Sequence, residues 1–201
     1  MYISFAGLIG SGKTTIATIL SEQTSIPLYK EVVSENRYLP DFYKYIGIDG
    51  INPYAFQLEV YILLNRWKQQ LEIIRSGHGG IQDRSIYEDI YFITHLYINN
   101  NLSEKDYITC KELYEMIIKE TPKPDMIVFL DVPPKIAYQR AKRRGRDMEK
   151  EIPLEYFVSL SKYYDAFIEL MKTFGCSVLH VPYDEKNKIE DIVFNIKKIS
   201  N

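Results

Sequence analysis

The chain has 201 residues, room for one domain with a sizeable core. Its 25 Lys+Arg against 27 Asp+Glu leave a net charge of −2, which argues against a nucleic-acid binder working through a broad basic face. No apolar run approaches the roughly 18 residues of a membrane span, residues 1–6 lack a signal-peptide pattern, and two cysteines with three scattered histidines supply neither a disulfide scaffold nor a metal-ligand spacing, so a reduced cytoplasmic setting is expected.

No repeat and no Ser/Gly-rich linker divides the sequence, so a single domain over 1–201 is expected. Residues 2–6 read as a short strand ending in glycine, 13–23 as a helix and 27–31 as a second strand. The apolar stretch 53–76 reads as a largely buried helix, with Pro53 in its first turn and Gly77 at its exit. Residues 80–83 read as a short strand. Helices follow at 86–99 and 103–120, the second capped by Ser103 with Asp106 three residues on. Residues 126–131 form a continuous apolar run between Pro124 and Pro133, the pattern of a central parallel strand buried on both faces. Helices at 134–143 and 153–174, a last strand at 177–181 and a helix at 189–199 complete the chain. This alternation predicts an α/β fold with a five-stranded parallel sheet flanked by helices.

Gly7-Leu8-Ile9-Gly10-Ser11-Gly12-Lys13-Thr14, followed by Thr15, matches G-x-x-x-x-G-K-[ST] at every fixed position, between a strand and a helix. The glycines let several backbone N–H groups point inward at phosphate oxygens. Lys13 is expected on the β- and γ-phosphates and the Thr14 hydroxyl on Mg²⁺, with the helix N-terminus adding favourable partial charge. A structural glycine turn has no need of the lysine, the threonine and both flanking elements together. The motif implies a nucleoside triphosphate and leaves the acceptor open; no N-K-x-D guanine reader accompanies it.

Three further features suit a small-molecule kinase. Glu31 ends the predicted second strand, where sites gather in parallel sheets and where a carboxylate can take a proton from an attacking hydroxyl; alone, such a residue is more often a solvated charge. Asp83-Arg84-Ser85 follows the third strand, with an acid for Mg²⁺ and an arginine for charge developing on the transferring phosphoryl group; a salt-bridged turn is the plainer reading. Arg140, Lys142, Arg143, Arg144 and Arg146 cluster around Gly145, followed by Glu149 and Glu151, and read as a lid over about 140–152 closing on phosphates.

Together the loop, Glu31, Phe56-Gln57, D-R-S-I-Y-E-D at 83–89 and R-A-K-R-R-G-R-D-M-E-K-E-I-P-L-E-Y-F at 140–157 resemble the deoxynucleoside kinases, in order over about residues 1–174. The resemblance is strongest to the bacterial-type branch that prefers purine deoxynucleosides. It implies a phosphate-loop kinase fold, ATP as donor with Mg²⁺, a 5′-hydroxyl acceptor, and a homodimer pairing the helices at 86–99 and 103–120. By position it implies Glu31 as general base, Arg84 beside the 5′-hydroxyl, and Asp83 near Mg²⁺ through water, its side chain being shorter than the Glu of many relatives. Arg140, Arg144 and Arg146 match lid arginines on the phosphates, and Glu149 an acid on the sugar 3′-hydroxyl. The sugar-binding tyrosine falls in a segment that does not align, with Tyr43 taken over Tyr45.

Gln57 matches the glutamine that reads the base edge, and Phe56 either stacks on the base or packs in the core. Asp89 matches an acid that accepts from an exocyclic amine. Relatives that pair this acid with an arginine carry it seven positions after the glutamine, where Leu64 stands here; Arg66 and Lys68 are nearby. Without a bridging cation, deoxyadenosine is expected first, deoxyguanosine and deoxycytidine next, and thymidine is disfavoured. The competing readings are a thymidylate or other nucleoside monophosphate kinase, whose ionised acceptor needs no base at Glu31, and a nucleotide-binding module without catalysis.

Overall fold

In the computed structural model, which describes residues 1–33, 35–182 and 189–200, β1 (Tyr2–Ala6) leads through the glycine loop into α1 (Lys13–Thr24). Then come β2 (Leu28–Tyr29), α2 (Leu39–Lys44), α3 (Ala55–Ser76), β3 (Gly80–Asp83), a 3₁₀ turn at 86–88, α4 (Asp89–Ile98) and α5 (Glu104–Glu120). The second half runs β4 (Met126–Asp131), α6 (Pro134–Arg144), a 3₁₀ turn at 147–149, α7 (Leu154–Ser161), α8 (Tyr164–Thr173), β5 (Ser177–Pro182) and α9 (Ile189–Ser200). No described helix is long and apolar enough to cross a membrane.

The five strands form one parallel sheet in the order β2-β3-β1-β4-β5, as the alternating pattern predicts. β4 shows why its sequence reads as an unbroken apolar run. Met126, Val128 and Leu130 pack with Ile3, Phe5, Ile16, Leu20 and Ile192 on one face, while Ile127 and Phe129 join the larger cluster on the other. Successive side chains of a strand point to opposite faces, so covering both faces removes the polar alternation. In the register, Phe5 lies opposite both Asp83 and Val128. The glycine loop after β1 and the Asp83-Arg84 turn after β3 therefore leave the sheet at the same edge, where strand carboxyl ends form a crevice.

Three local expectations are corrected, and one helix is added. Residues 153–174 are two helices: the chain breaks at Lys162–Tyr163, and the break turns Tyr164 so that its hydroxyl donates to Glu88 Oε2 at 3.1 Å. No glycine or proline marks this break. The second strand ends at Tyr29, since β2 is an edge strand paired only with β3, and Glu31 lies in the coil beyond it. α2 carries no sequence signal strong enough to predict its six residues. α3 starts at Ala55, after Pro53, and it is amphipathic rather than buried throughout. Its buried stripe, Ala55, Leu58, Glu59, Leu63, Arg66, Gln70 and Ile73, follows three-and-four spacing and includes three polar residues. Ser103 caps α5 as expected, its side chain accepting from the Asp106 amide at 3.2 Å.

Gly10 ties the loop to the lid helix. Its φ is +78°, and a Cβ there would stand 2.3 Å from the Ala137 carbonyl oxygen on α6. Gly10→Ala is therefore expected to lower stability by at least about 1–2 kcal/mol, from the left-handed backbone alone, and to weaken ATP binding. A calorimetric melt and an ATP titration check this; wild-type values in both would mean that the loop and α6 do not need this close approach.

Candidate active site

A cavity of about 470 Å³ opens at the carboxyl edge of the sheet. This is within the usual range for a small-molecule site. The glycine loop closes one end, α3 and Tyr43 of α2 form walls, and Met148 and Glu149 reach it from the lid.

At the loop, Lys13 is buried, and its Nζ donates to the carbonyls of Gly7 at 3.0 Å and Leu8 at 2.8 Å. Leu8 itself packs in the core, and Ser11 is buried with Oγ 3.4 Å from Nζ. Burial pulls the Lys13 amine down to a pKa of about 7; nearby Arg84 pulls the same way, against the opposing carboxylates Asp83, Glu88 and Glu31. At pH 8 the amine is thus largely neutral. A polyphosphate set beside it favours the charged form, so ATP binding at pH 8 is expected to take up a proton. Calorimetric titration in buffers of different ionisation enthalpy measures this. Uptake in the wild type that disappears in Lys13→Met is the expected result, and no uptake in the wild type would contradict it.

Thr14 Oγ1 donates to Asp83 Oδ2, while Asp83 Oδ1 is buried with no hydrogen-bond partner. Two adjacent hard oxygen donors with one carboxylate oxygen left unpaired suit Mg²⁺, which binds few protein ligands and completes its shell with phosphates and water. Among the described residues no group of three His, Cys, Asp or Glu forms a metal cluster by itself.

Arg84 follows β3 with a φ of +71°, a left-handed conformation that a non-glycine residue adopts at a cost. The surroundings hold it there. Its Nη1 donates to Glu88 Oε2 at 2.7 Å and lies 3.4 Å from the Tyr164 hydroxyl, and its guanidinium sits 5.2 Å from the Phe92 ring centroid. Its Nε is 3.5 Å from Glu31 Oε1. Glu31 is also bonded by Arg66 Nη2 at 2.7 Å. Burial pushes the Glu31 pKa up, but Arg84, Arg66 and Lys13 outweigh it and hold it down at about 2.

Arg66 corrects the base-reading argument. Its Nη1 donates to Asp89 at the start of α4, so a cation does bridge the acid. Leu64, in the position expected of that cation, is 42% exposed. Gln57 is exposed and is not brought to the cavity, and Phe56 packs against the core instead of lining it. The cavity-facing acid on the same stripe is Glu59, seven residues before Arg66. The seven-residue interval is kept but displaced by two positions, and about 200° of helix rotation turns Gln57 away. The sequence alone points to the glutamine beside Phe56; the seven-residue spacing of Glu59 from Arg66 is the signal in it that marks Glu59.

Tyr43 is buried on the cavity wall, whereas Tyr45 is turned toward solvent. On the lid, buried Glu149 accepts from Arg144 Nη2 at 2.8 and 2.6 Å and from Arg146 Nη1 at 3.1 Å. All three residues line the cavity; Arg140, one turn earlier on α6, does not. Ile9, Gly10, Gly12, Thr14 and Thr15 line the cavity with Lys13, while Gly7, Leu8 and Ser11 stand behind it.

Fold and site together define an α/β phosphate-loop kinase. The chain belongs to the deoxynucleoside kinase family, whose sequence pattern, described as "Deoxynucleoside kinase", matches residues 3–201. It is 41% identical to a deoxyadenosine kinase of Dictyostelium discoideum over 84% of this chain and 66% of that protein. It is 31% identical to a deoxyguanosine kinase of Bacillus subtilis over 92% of this chain and 88% of the relative. The structure superposes on that of the deoxyadenosine kinase from M. mycoides, solved with dCMP and dCDP bound, with a TM-score of 0.85. That match has 29% identity and covers 100% of this chain and 99% of the other.

Proposed function

We propose that this chain transfers the γ-phosphoryl group of ATP to the 5′-hydroxyl of a deoxynucleoside, with deoxyadenosine first and deoxyguanosine or deoxycytidine also accepted. The observation that carries this reading is Glu31, an ionised carboxylate held between Arg66 and Arg84 in the same cavity as Lys13. Arg66 supplies a cation at Asp89, so the preference for deoxyadenosine is supported by the likeness to the deoxyadenosine kinase that is 41% identical.

The deoxynucleoside lies along α3, with its sugar against Tyr43 and Glu149 and its 5′-hydroxyl at Glu31. Glu31 accepts the hydroxyl proton as the oxygen attacks the γ-phosphorus in line, and the bond to the leaving ADP breaks. Lys13, Arg84, Arg144 and Arg146 hold the phosphates and neutralise charge on the transferring group. Glu149 fixes the two lid arginines by ion pairs and so orients them toward the cavity. Thr14 and Asp83 would hold Mg²⁺, which would neutralise negative charge on the phosphates. The protein works as a cytoplasmic homodimer pairing α4 and α5, whose exposed Ile98, Ile108 and Met116 support such a face.

The test is a product panel. With Mg²⁺·ATP and each of deoxyadenosine, deoxyguanosine, deoxycytidine, thymidine and thymidine monophosphate, a nucleoside monophosphate is the expected product. A diphosphate from thymidine monophosphate alone would overturn the reading.

A further inference from the structure

Glu59, like Glu88 and Asp89, is a buried acid that the mechanism above does not use. It is 3% exposed, it lines the cavity, and its Oε2 is buried with no hydrogen-bond partner. An unpaired polar atom in a buried place costs about 1–3 kcal/mol, so a carboxyl kept there calls for a ligand. It stands on the same stripe of α3 as Arg66, two helical turns toward the N-terminus.

We propose that Glu59 reads the nucleobase as an uncharged carboxylic acid, and that its ionisation switches the site from adenine and cytosine toward guanine. The proposal rests on reading the cavity as a deoxynucleoside site. A protonated carboxyl offers one O–H donor beside one carbonyl acceptor. Adenine presents an amine beside a ring-nitrogen acceptor, and so does cytosine, so each pairs with both atoms of the acid. An ionised carboxylate offers two acceptors and no donor. That form fits the adjacent N1–H and N2–H donors of guanine and meets the adenine or cytosine ring nitrogen with repulsion.

The surroundings favour the uncharged form at neutral pH. Burial raises the Glu59 pKa to about 8, and Arg66 only partly opposes this. The two Nη atoms of Arg66 are committed to Glu31 and Asp89, and its Nε is buried without a partner, so no Arg66 hydrogen bond holds Glu59 ionised. The other ionisable groups facing Glu59 are Cys110 of α5 and Tyr156 of α7, both themselves pushed upward by burial. No second cation among them pulls the acid down. Asp89, whose Oδ2 is also buried without a partner, lines the same cavity and offers a further acceptor.

The experiment is the ratio of kcat/KM for deoxyadenosine to that for deoxyguanosine, measured with Mg²⁺·ATP from about pH 6 to about pH 8.5, where Glu59 titrates. Effects of pH on the phosphoryl-transfer chemistry act on both substrates and cancel in the ratio. In the wild type the ratio is expected to fall by about tenfold as pH rises, the size of one well-placed hydrogen bond lost and another gained. Glu59→Gln keeps a donor and an acceptor side by side at every pH, so its ratio is expected to stay flat. A flat wild-type ratio, or a Glu59→Gln ratio that falls as the wild type does, would overturn the proposal and leave the kinase reading intact. Phosphorylation of no deoxynucleoside at any pH would overturn both. The wild-type profile stands as a test on its own should the variant fold poorly.

Discussion

Glu31→Gln is expected to lower turnover by on the order of 10²-fold or more, the reach of a positioned general base. The substitution keeps the shape of the side chain and its capacity to accept a hydrogen bond from Arg66 or Arg84, but removes its ability to take the 5′-hydroxyl proton. The loss should therefore fall on kcat, with the KM for the nucleoside changed only a few-fold. The pH dependence gives a second check. Glu31 is held at a pKa of about 2 by Arg84, Arg66 and Lys13 against the opposing effect of burial. A carboxyl with a depressed pKa stays ionised at every pH above that value. Wild-type turnover should accordingly show no loss of its base between pH 7 and about pH 5, where an ordinary carboxyl of pKa ~4.3 would begin to protonate. Near-normal turnover in the variant would remove Glu31 from the mechanism.

Arg66→Met is expected to lower stability by about 3–5 kcal/mol, the usual effect of breaking a buried ion pair by removing one partner. Arg66 is the shared cation of two carboxylates, bonded to Glu31 through Nη2 and to Asp89 through Nη1. The Asp89 side chain is almost fully buried, so it is left with an uncompensated charge, whereas Glu31 keeps Arg84 and partial access to water. Most of the loss therefore belongs to Asp89. Adding Asp89→Asn should restore a substantial part of it, because the orphaned charge is gone. Urea unfolding of the wild type, the single variant and the double variant measures both effects. A single-variant loss below about 1 kcal/mol would mean that Asp89 finds another partner, and absence of recovery in the double variant would place the cost in packing of the arginine stem instead.

These two residues also mark where the sequence could and could not be read. Glu31 was legible because it follows a strand in a βαβ arrangement, and parallel sheets collect functional side chains at one edge whatever the exact strand length. β2 turned out to be two residues long, yet Glu31 still reached the cavity. Asp83 and Arg84 were legible for the same reason. The lid was legible as a basic run ended by Gly145, but which arginines turn inward was not: Arg144 and Arg146 meet Glu149 at the cavity, and Arg140 does not line it. The break between α7 and α8 carries no glycine or proline; just beyond it Tyr164 meets Glu88, 76 residues earlier in the chain.

The phosphate loop, the five strands with their parallel order of alternation, and the cap at Ser103 follow from short-range chemistry. Each depends on a few neighbouring residues: glycines with left-handed backbone, apolar runs buried on both faces, a hydroxyl at a helix start. The base-reading end of the cavity depends on something longer in range, namely which side of α3 the rest of the molecule covers. One position along a helix is a rotation of about 100°. The choice between Gln57 and Glu59, or between Leu64 and Arg66, is thus made by packing of Leu58 and Leu63 against the core. Only the folded chain carries that rotation, and with it the acid that faces the cavity.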